Sequence, residues 1–294
     1  MTAMVAQAID VLAPRTLEEA LQMKRDRPEA VVIAGGTDVM VAVNFDRLRP
    51  RAFMDVSRLR ELQQWRETDA TLQLGAGLTY TRIIRELPGY VPLVQASRTV
   101  GSPQIRNRAT VGGNLGTASP AGDALPVLAA HDAEVVVASA DRGERSLPWD
   151  RFLTGPKRTA LEPDELIIET GWPTTSGPGS FSKIGTRNAM VIAVAGLCLV
   201  MDEESRGVRV ALGSVGPTII RARDAERFAS EHVPWNEPGT ELRSETVDRW
   251  GELVAEAASP IDDVRGSAAY RRHACRVLAT RGLTWALRAR KAGA

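Results

Sequence analysis

The sequence predicts an α+β protein of two units, and three observations carry that reading. The first half alternates helix-like and strand-like stretches, the pattern of a small βαβ unit. Residues 172–179, with Gly171 just ahead and Pro173, Gly177, Pro178 and Gly179 within, break that pattern near mid-chain. Beyond the break strand-like stretches, the last two antiparallel, precede three helix-like ones, which is the order of an α+β domain. The boundary is drawn there, giving units 1–176 and 177–294.

In chain order, Thr16 and Glu19 fit a capping box that opens a helix reaching about Lys24. The β-branched run 31–34 reads as a strand, 38–45 as a helix and 52–56 as a second strand, parallel to the first. Strands are expected at 71–76, 133–138, 165–170 and 180–184, with short helices at 79–87 and 91–99. Two antiparallel strands, 191–201 and 208–212, flank the charged turn 202–207. Helices are expected at 222–231, 244–258 and 268–290, and no repeat or low-complexity tract is visible.

Composition narrows the function. With 294 residues, 44% apolar and 25% charged, the chain has globular proportions. A net charge of +1 gives no reason to expect nucleic acid or an anionic membrane as partner. Residues 1–10 lack the basic and apolar segments of a secretory signal. The longest apolar run, 189–201, is too short to span a bilayer and suits a buried strand. Cys198 and Cys275 make no disulfide framework, so a cytoplasmic protein is expected. An iron–sulfur cluster normally takes four thiolates, and His131, His232 and His273 stand alone, so no metal centre is expected in this chain. Residues 267–294 hold seven basic residues and no acidic one, either a solvated helix face or a docking surface.

The sharpest local feature is the strand Val31, Val32, Ile33 running into Ala34, Gly35, Gly36, Thr37, Asp38 and Val39. Glycines let a ligand approach the backbone, and free N–H groups ahead of a helix favour phosphate. Taken alone, a glycine pair is a turn more often than a phosphate site. A second pair, Thr110, Val111, Gly112, Gly113 and Asn114, followed by residues 119–123, allows two loops to hold a dinucleotide pyrophosphate from both sides. Asp123 then accepts from sugar or ribityl hydroxyls; the alternative is two ordinary turns, with Asn114 left-handed and Asp123 a helix cap. Gly75-Ala76-Gly77 begins like a Rossmann fingerprint, but Tyr80 stands where the third glycine belongs, so the stretch is set aside. There is no P-loop and no nucleophile elbow around Ser214.

With these loops, the run 100–106 and Ser180-Phe181-Ser182-Lys183, the sequence resembles the FAD-binding (medium) subunits of molybdenum hydroxylases. The resemblance covers roughly residues 16–226. It implies a two-part FAD-binding domain of the vanillyl-alcohol-oxidase (PCMH) type and a smaller α+β C-terminal domain of the CO dehydrogenase flavoprotein type. It implies pyrophosphate contacts from residues 32–39 and 110–114, a side chain against the nucleotide at Val100, a polar contact at Asp123, and further contacts at Ile167 and Lys183. On the residues alone, Val100 and Ile167 also suit a core and Lys183 a solvated strand. Gly35 through Met40 and Asn44 through Arg47 look closer to xanthine dehydrogenase than to carbon monoxide dehydrogenase, and two cysteines cannot supply the four-cysteine insertion of the benzoyl-CoA reductase branch.

The resemblance further implies a large molybdenum-cofactor subunit and a small subunit with [2Fe-2S] clusters, assembled as a dimer of heterotrimers. Electrons would pass from those clusters through FAD to NAD⁺ or another acceptor, with no catalytic acid or base in this chain. The alternatives are a free-standing FAD-dependent reductase on the same fold, the medium subunit of a carbon monoxide or aldehyde dehydrogenase, and a module that binds FAD without turnover.

Overall fold

A computed structural model of the chain describes residues 9–293, so most of the segment examined for a secretory signal, residues 1–8, lies outside it, as does Ala294. The first sheet is wholly parallel, ordered β1-β3-β2, with β1 at Asp10–Leu12, β2 at Val31–Ile33 and β3 at Ala52–Asp55. Helix α1 (Leu17–Asp26) links β1 to β2, and α2 (Val39–Asn44) links β2 to β3. Thr16 caps α1 by accepting from the Glu19 amide at 3.1 Å, while the Glu19 carboxylate takes the Arg15 amide at 2.7 Å. The expected capping box is therefore shifted one residue back on its return bond. Ala20, Ala52, Met54 and Leu59 form the small core beneath this sheet.

The second sheet is antiparallel, ordered β4-β5-β10-β6-β7. Its strands are β4 (Trp65–Glu67), β5 (Thr71–Gly75), β6 (Glu134–Ser139), β7 (Gly143–Pro148) and β10 (Leu166–Pro173). Between β5 and β6 run α3 (Tyr80–Glu86), α4 (Val91–Thr99), α5 (Pro103–Arg106), α6 (Val111–Thr117) and α7 (Leu125–Ala130). A short helix, α8 (Trp149–Phe152), and the ribbon β8 (Leu153–Gly155) with β9 (Arg158–Thr159) lead back to β10.

The third sheet is antiparallel, β11 (Gly179–Ile184), β12 (Ala195–Asp202), β13 (Gly207–Gly213) and β14 (Ile220–Arg221) in sequence order. Three helices follow, α9 (Arg223–His232), α10 (Ser244–Ala257) and α11 (Ala268–Gly293). Both faces of this sheet are covered, which explains the unbroken apolar run in β12. Cys198 and Val200 point into the core shared with the second sheet, whereas Leu197, Leu199 and Met201 point under the three C-terminal helices.

Strand β12 begins at Ala195, not at 191 as the apolar run suggested. Ile184 pairs with Ala195, and residues 185–194 form a connection held where Arg187 donates to the carbonyls of Ala189 and Met190. The basic C-terminal helix is not uniformly solvated either. Arg271 is buried, donating to the carbonyls of Val194 (2.9 Å) and Ser214 (2.6 Å), and Arg290 is buried against Glu203 (2.6 Å). No described helix is long and apolar enough to cross a membrane.

His131, at the C-terminal end of α7, stacks on Trp172 with ring centroids 5.3 Å apart. Burial first, then the positive field of Arg209, pushes its pKa down to about 4. The unfolded chain binds a proton near pH 6.5 that the folded chain refuses until about 4. Stability that is complete above pH 6.5 is thus lost as pH falls through that window, by on the order of 3 kcal/mol. Melting temperatures measured from pH 7 to 4 are expected to drop more steeply for the native chain than for His131→Gln; parallel curves would remove His131 from the account.

Candidate functional site

A cavity of about 770 Å³ opens where the three sheets meet, within the size range of small-molecule and cofactor sites. Its first wall is the segment leaving β2. The Val56 amide donates to the Ile33 carbonyl oxygen at 3.0 Å, after which the chain turns away from the sheet. A Cβ on Gly35 would lie 2.0 Å from the Arg108 carbonyl oxygen, so only glycine passes that point. Gly36 has φ +76°, the left-handed region. Among the described residues, the amides of Gly35, Gly36, Thr37 and Asp38 donate to no backbone carbonyl and no side chain. Val32, Ala34, Gly35, Gly36, Thr37, Asp38 and Val39 line the cavity. Ile33 does not; its Cδ1 folds back to 3.4 Å from where a Cβ on Gly36 would be.

The second wall corrects the reading of a second glycine loop. The pair belongs to the first turn of α6, whose N-cap Thr110 accepts from the Gly113 amide at 3.0 Å. Asn114 is therefore helical, and the left-handed residue is Ala118, φ 45°, at the other end. The Gly112 amide donates to Ala76 O at 2.8 Å, and a Cβ there would lie 2.6 Å from the Ala76 Cβ. Gly113 faces open cavity, with only Thr110 Oγ1 (3.1 Å) near its would-be Cβ. Thr110, Gly112, Gly113 and Asn114 line the space, whereas Val111 is buried in the core behind it. Thr117 Oγ1 donates to Asp38 Oδ2 at 3.4 Å, joining the two walls.

The third side brings the two halves of the chain together. Lys183, on β11, donates to Asp123 Oδ2 at 2.6 Å and to Thr99 O at 3.1 Å. Thr99 Oγ1 donates to the same carboxylate oxygen at 2.9 Å. Both charged side chains are buried, 8% and 6% exposed, so Lys183 is not a solvated strand lysine. Nor is Asp123 a helix cap, since Ala124 holds the N-cap position of α7 and makes no side-chain bond. Burial pushes the Asp123 carboxyl up from its usual range, opposed by Lys183 and Thr99. Val100 lines the cavity from the end of α4, and Ile167 enters at a register shift in β10.

Sequence reasoning missed several contributors. Ala76, Gly77 and Tyr80, set aside as a failed Rossmann fingerprint, line the cavity, as do Gly101, Gly116 and Met190. Met190, φ 51°, and Ile192 are exposed beside it. Glu165 also reaches the cavity, but Arg145 holds both its oxygens at 2.7 Å and keeps its carboxyl below the usual range. It is a clamp, not a free base.

Three buried polar atoms on residues that line this cavity have no partner among the described residues: Tyr80 Oη, Asn114 Oδ1 and Asp123 Oδ1. Unsatisfied buried groups are rare and signal a missing partner. Unbonded amides on one wall suit phosphate oxygens, and orphan acceptors opposite suit hydroxyls. The donor set fits a dinucleotide.

Comparisons with known proteins agree with that chemistry. Residues 7–175 match the family model described as FAD binding domain in molybdopterin dehydrogenase, and residues 180–286 match the CO dehydrogenase flavoprotein C-terminal domain. The chain is 32% identical over 272 residues to the xanthine dehydrogenase FAD-binding subunit of Escherichia coli O157:H7, covering 88% of this chain and 89% of that one. It is 32% identical over 278 residues to the nicotinate dehydrogenase FAD-subunit of Eubacterium barkeri, covering 90% of each. Among solved structures, quinoline 2-oxidoreductase of Pseudomonas putida 86 superposes with a TM-score of 0.86 at 26% identity, over 97% of this chain and 98% of that one. Carbon monoxide dehydrogenase of Hydrogenophaga pseudoflava superposes with a TM-score of 0.84 at 27% identity, over 96% and 98%. The chain belongs to the family of FAD-binding domains of molybdopterin dehydrogenases, joined to a CO dehydrogenase flavoprotein C-terminal domain.

Proposed function

We propose that this chain is the flavin subunit of a molybdenum hydroxylase of the xanthine dehydrogenase kind. It holds FAD noncovalently between the segments 32–39 and 110–114, whose residues other than Ile33 and Val111 line the cavity, with Val100, Asp123, Ile167 and Lys183 completing the site. The observation that carries the reading is the cavity between unbonded amides at Gly35 to Asp38 and the orphan Asp123 carboxylate oxygen. Bound there, FAD supplies the conversion between one-electron and two-electron transfer. The protein's share is to exclude water, grip the pyrophosphate with backbone donors, and hold Asp123 in place through Lys183 and Thr99.

The partners in this proposal are a large molybdenum-cofactor subunit and a small [2Fe-2S] subunit, in a dimer of heterotrimers, with NAD⁺ as acceptor and the cytoplasm as location. The domain boundary stays at 176/177 in this proposal, and the lack of a strand between Pro173 and Gly179 supports it. Relatives named as FAD subunits of a xanthine and a nicotinate dehydrogenase match most of this chain, and a quinoline 2-oxidoreductase chain shares its fold, which supports a substrate site on another subunit.

The test is division of labour. Mixed anaerobically with its substrate, flavin-free complex is expected to reduce its iron–sulfur clusters, seen as bleaching, while reduction of the final acceptor stops. Clusters that stay oxidised without flavin, but bleach in the holo complex, would put the flavin upstream and reverse the electron route.

A further inference from the structure

Tyr80 is the first residue of α3, following Thr79, which caps that helix. Its side chain is 1% exposed and packs in the central core, yet the residue borders the cavity. Its hydroxyl has no hydrogen-bond partner among the described residues. The ring lies within the fields of Asp38, on the first wall, and Asp123, on the opposite side. Burial first, and those two carboxylates next, push the phenol up, so the hydroxyl stays protonated and available as a donor. The other buried side-chain atoms without a partner among the described residues, such as Trp172 Nε1 and Trp250 Nε1, belong to residues that do not line the cavity.

A buried phenol that donates to nothing has given up its water without a replacement, a condition native proteins seldom leave uncompensated. A buried, partnerless donor on a residue that borders the same cavity as the free amides of Gly35 to Asp38 and the Asp123 carboxylate suits the stretch of a dinucleotide that is richest in oxygen acceptors. We propose that Tyr80 is a further binding residue of this site, donating its hydroxyl hydrogen to an oxygen of the phosphate–ribityl linker of bound FAD. The inference rests on the FAD reading above and adds a residue that the phosphate-loop pattern does not contain.

Tyr80→Phe keeps the ring and removes only the donor, which gives the substitution opposite effects on the two states. FAD affinity of the full chain is expected to fall about tenfold, close to 1.4 kcal/mol. The flavin-free chain is expected to melt at the same temperature or higher, because the deleted hydroxyl was unsatisfied there. Titrating FAD into flavin-free native and variant chains, followed by flavin fluorescence, gives the first quantity, and thermal melts of the same samples give the second. Unchanged affinity in the variant, or a flavin-free form that melts lower, overturns the assignment of Tyr80. Failure of the native chain itself to bind FAD overturns the FAD reading instead.

Discussion

Gly113→Val is expected to lose FAD by at least about a hundredfold in affinity, or about 2.7 kcal/mol, while leaving the fold intact. The first turn of α6 presents this glycine to the cavity, and a Cβ there meets only Thr110 Oγ1, at 3.1 Å. The two branches of valine therefore project into space the dinucleotide needs. Valine is a better helix residue than glycine, so α6 itself gains slightly. The neighbouring glycines make poorer probes. A side chain at Gly35 would strike the Arg108 carbonyl and one at Gly112 the Ala76 Cβ, so both variants fail by misfolding. At Gly36, φ +76° strains any other residue before a ligand is considered. Flavin absorbance retained after desalting, read beside far-UV circular dichroism, decides the matter. A folded Gly113→Val chain that keeps its full flavin would remove α6 from the binding site.

Much of this arrangement could be read from the sequence where local chemistry dictates it. The run of β-branched residues into Gly35-Gly36 marks a strand that ends at a tight backbone passage, and the structure shows both. Thr16 announces a helix start by short-range capping and caps α1 as the sequence implies. The three C-terminal helices stand within three residues of where the sequence put them. What escaped depends on contacts distant in sequence. Strand β7, GERSLP, carries few apolar residues and exists because β6 pairs with it and Arg145 reaches Glu165. Strand β10 comes between β5 and β6 although it follows both in sequence, a non-local order no local pattern encodes. Ala76 and Gly77 fail as a Rossmann motif yet border the cavity, because α6 packs so closely on Ala76 that Gly112 must be glycine. Lys183 looks like an ordinary strand lysine until the third sheet closes over Asp123.

That closure leads to the other large effect. Asp123→Ala is expected to destabilise the flavin-free protein by about 3–5 kcal/mol, far more than loss of a helix cap would. Removing the carboxylate leaves the Lys183 ammonium buried with Thr99 O as its remaining partner, and takes from Thr99 Oγ1 its acceptor on Asp123. The penalty is mainly that of an uncompensated buried charge, so removing the charge as well restores most of the loss. Asp123→Ala combined with Lys183→Met is expected to recover at least half of the stability lost in Asp123→Ala alone. It is not expected to recover FAD binding, because Asp123 Oδ1, the orphan acceptor on a cavity-lining residue, is absent from both variants. Denaturant unfolding of the flavin-free native chain, both single variants and the double variant supplies the coupling energy. Flavin titration of the same four proteins supplies the affinities. If the double variant regains FAD affinity along with stability, Asp123 serves only to neutralise Lys183 and the cofactor takes its hydrogen bonds elsewhere. If stability returns while affinity stays low, and Lys183→Met alone keeps its affinity, one oxygen of Asp123 holds the two halves of the chain together and the other holds the ligand.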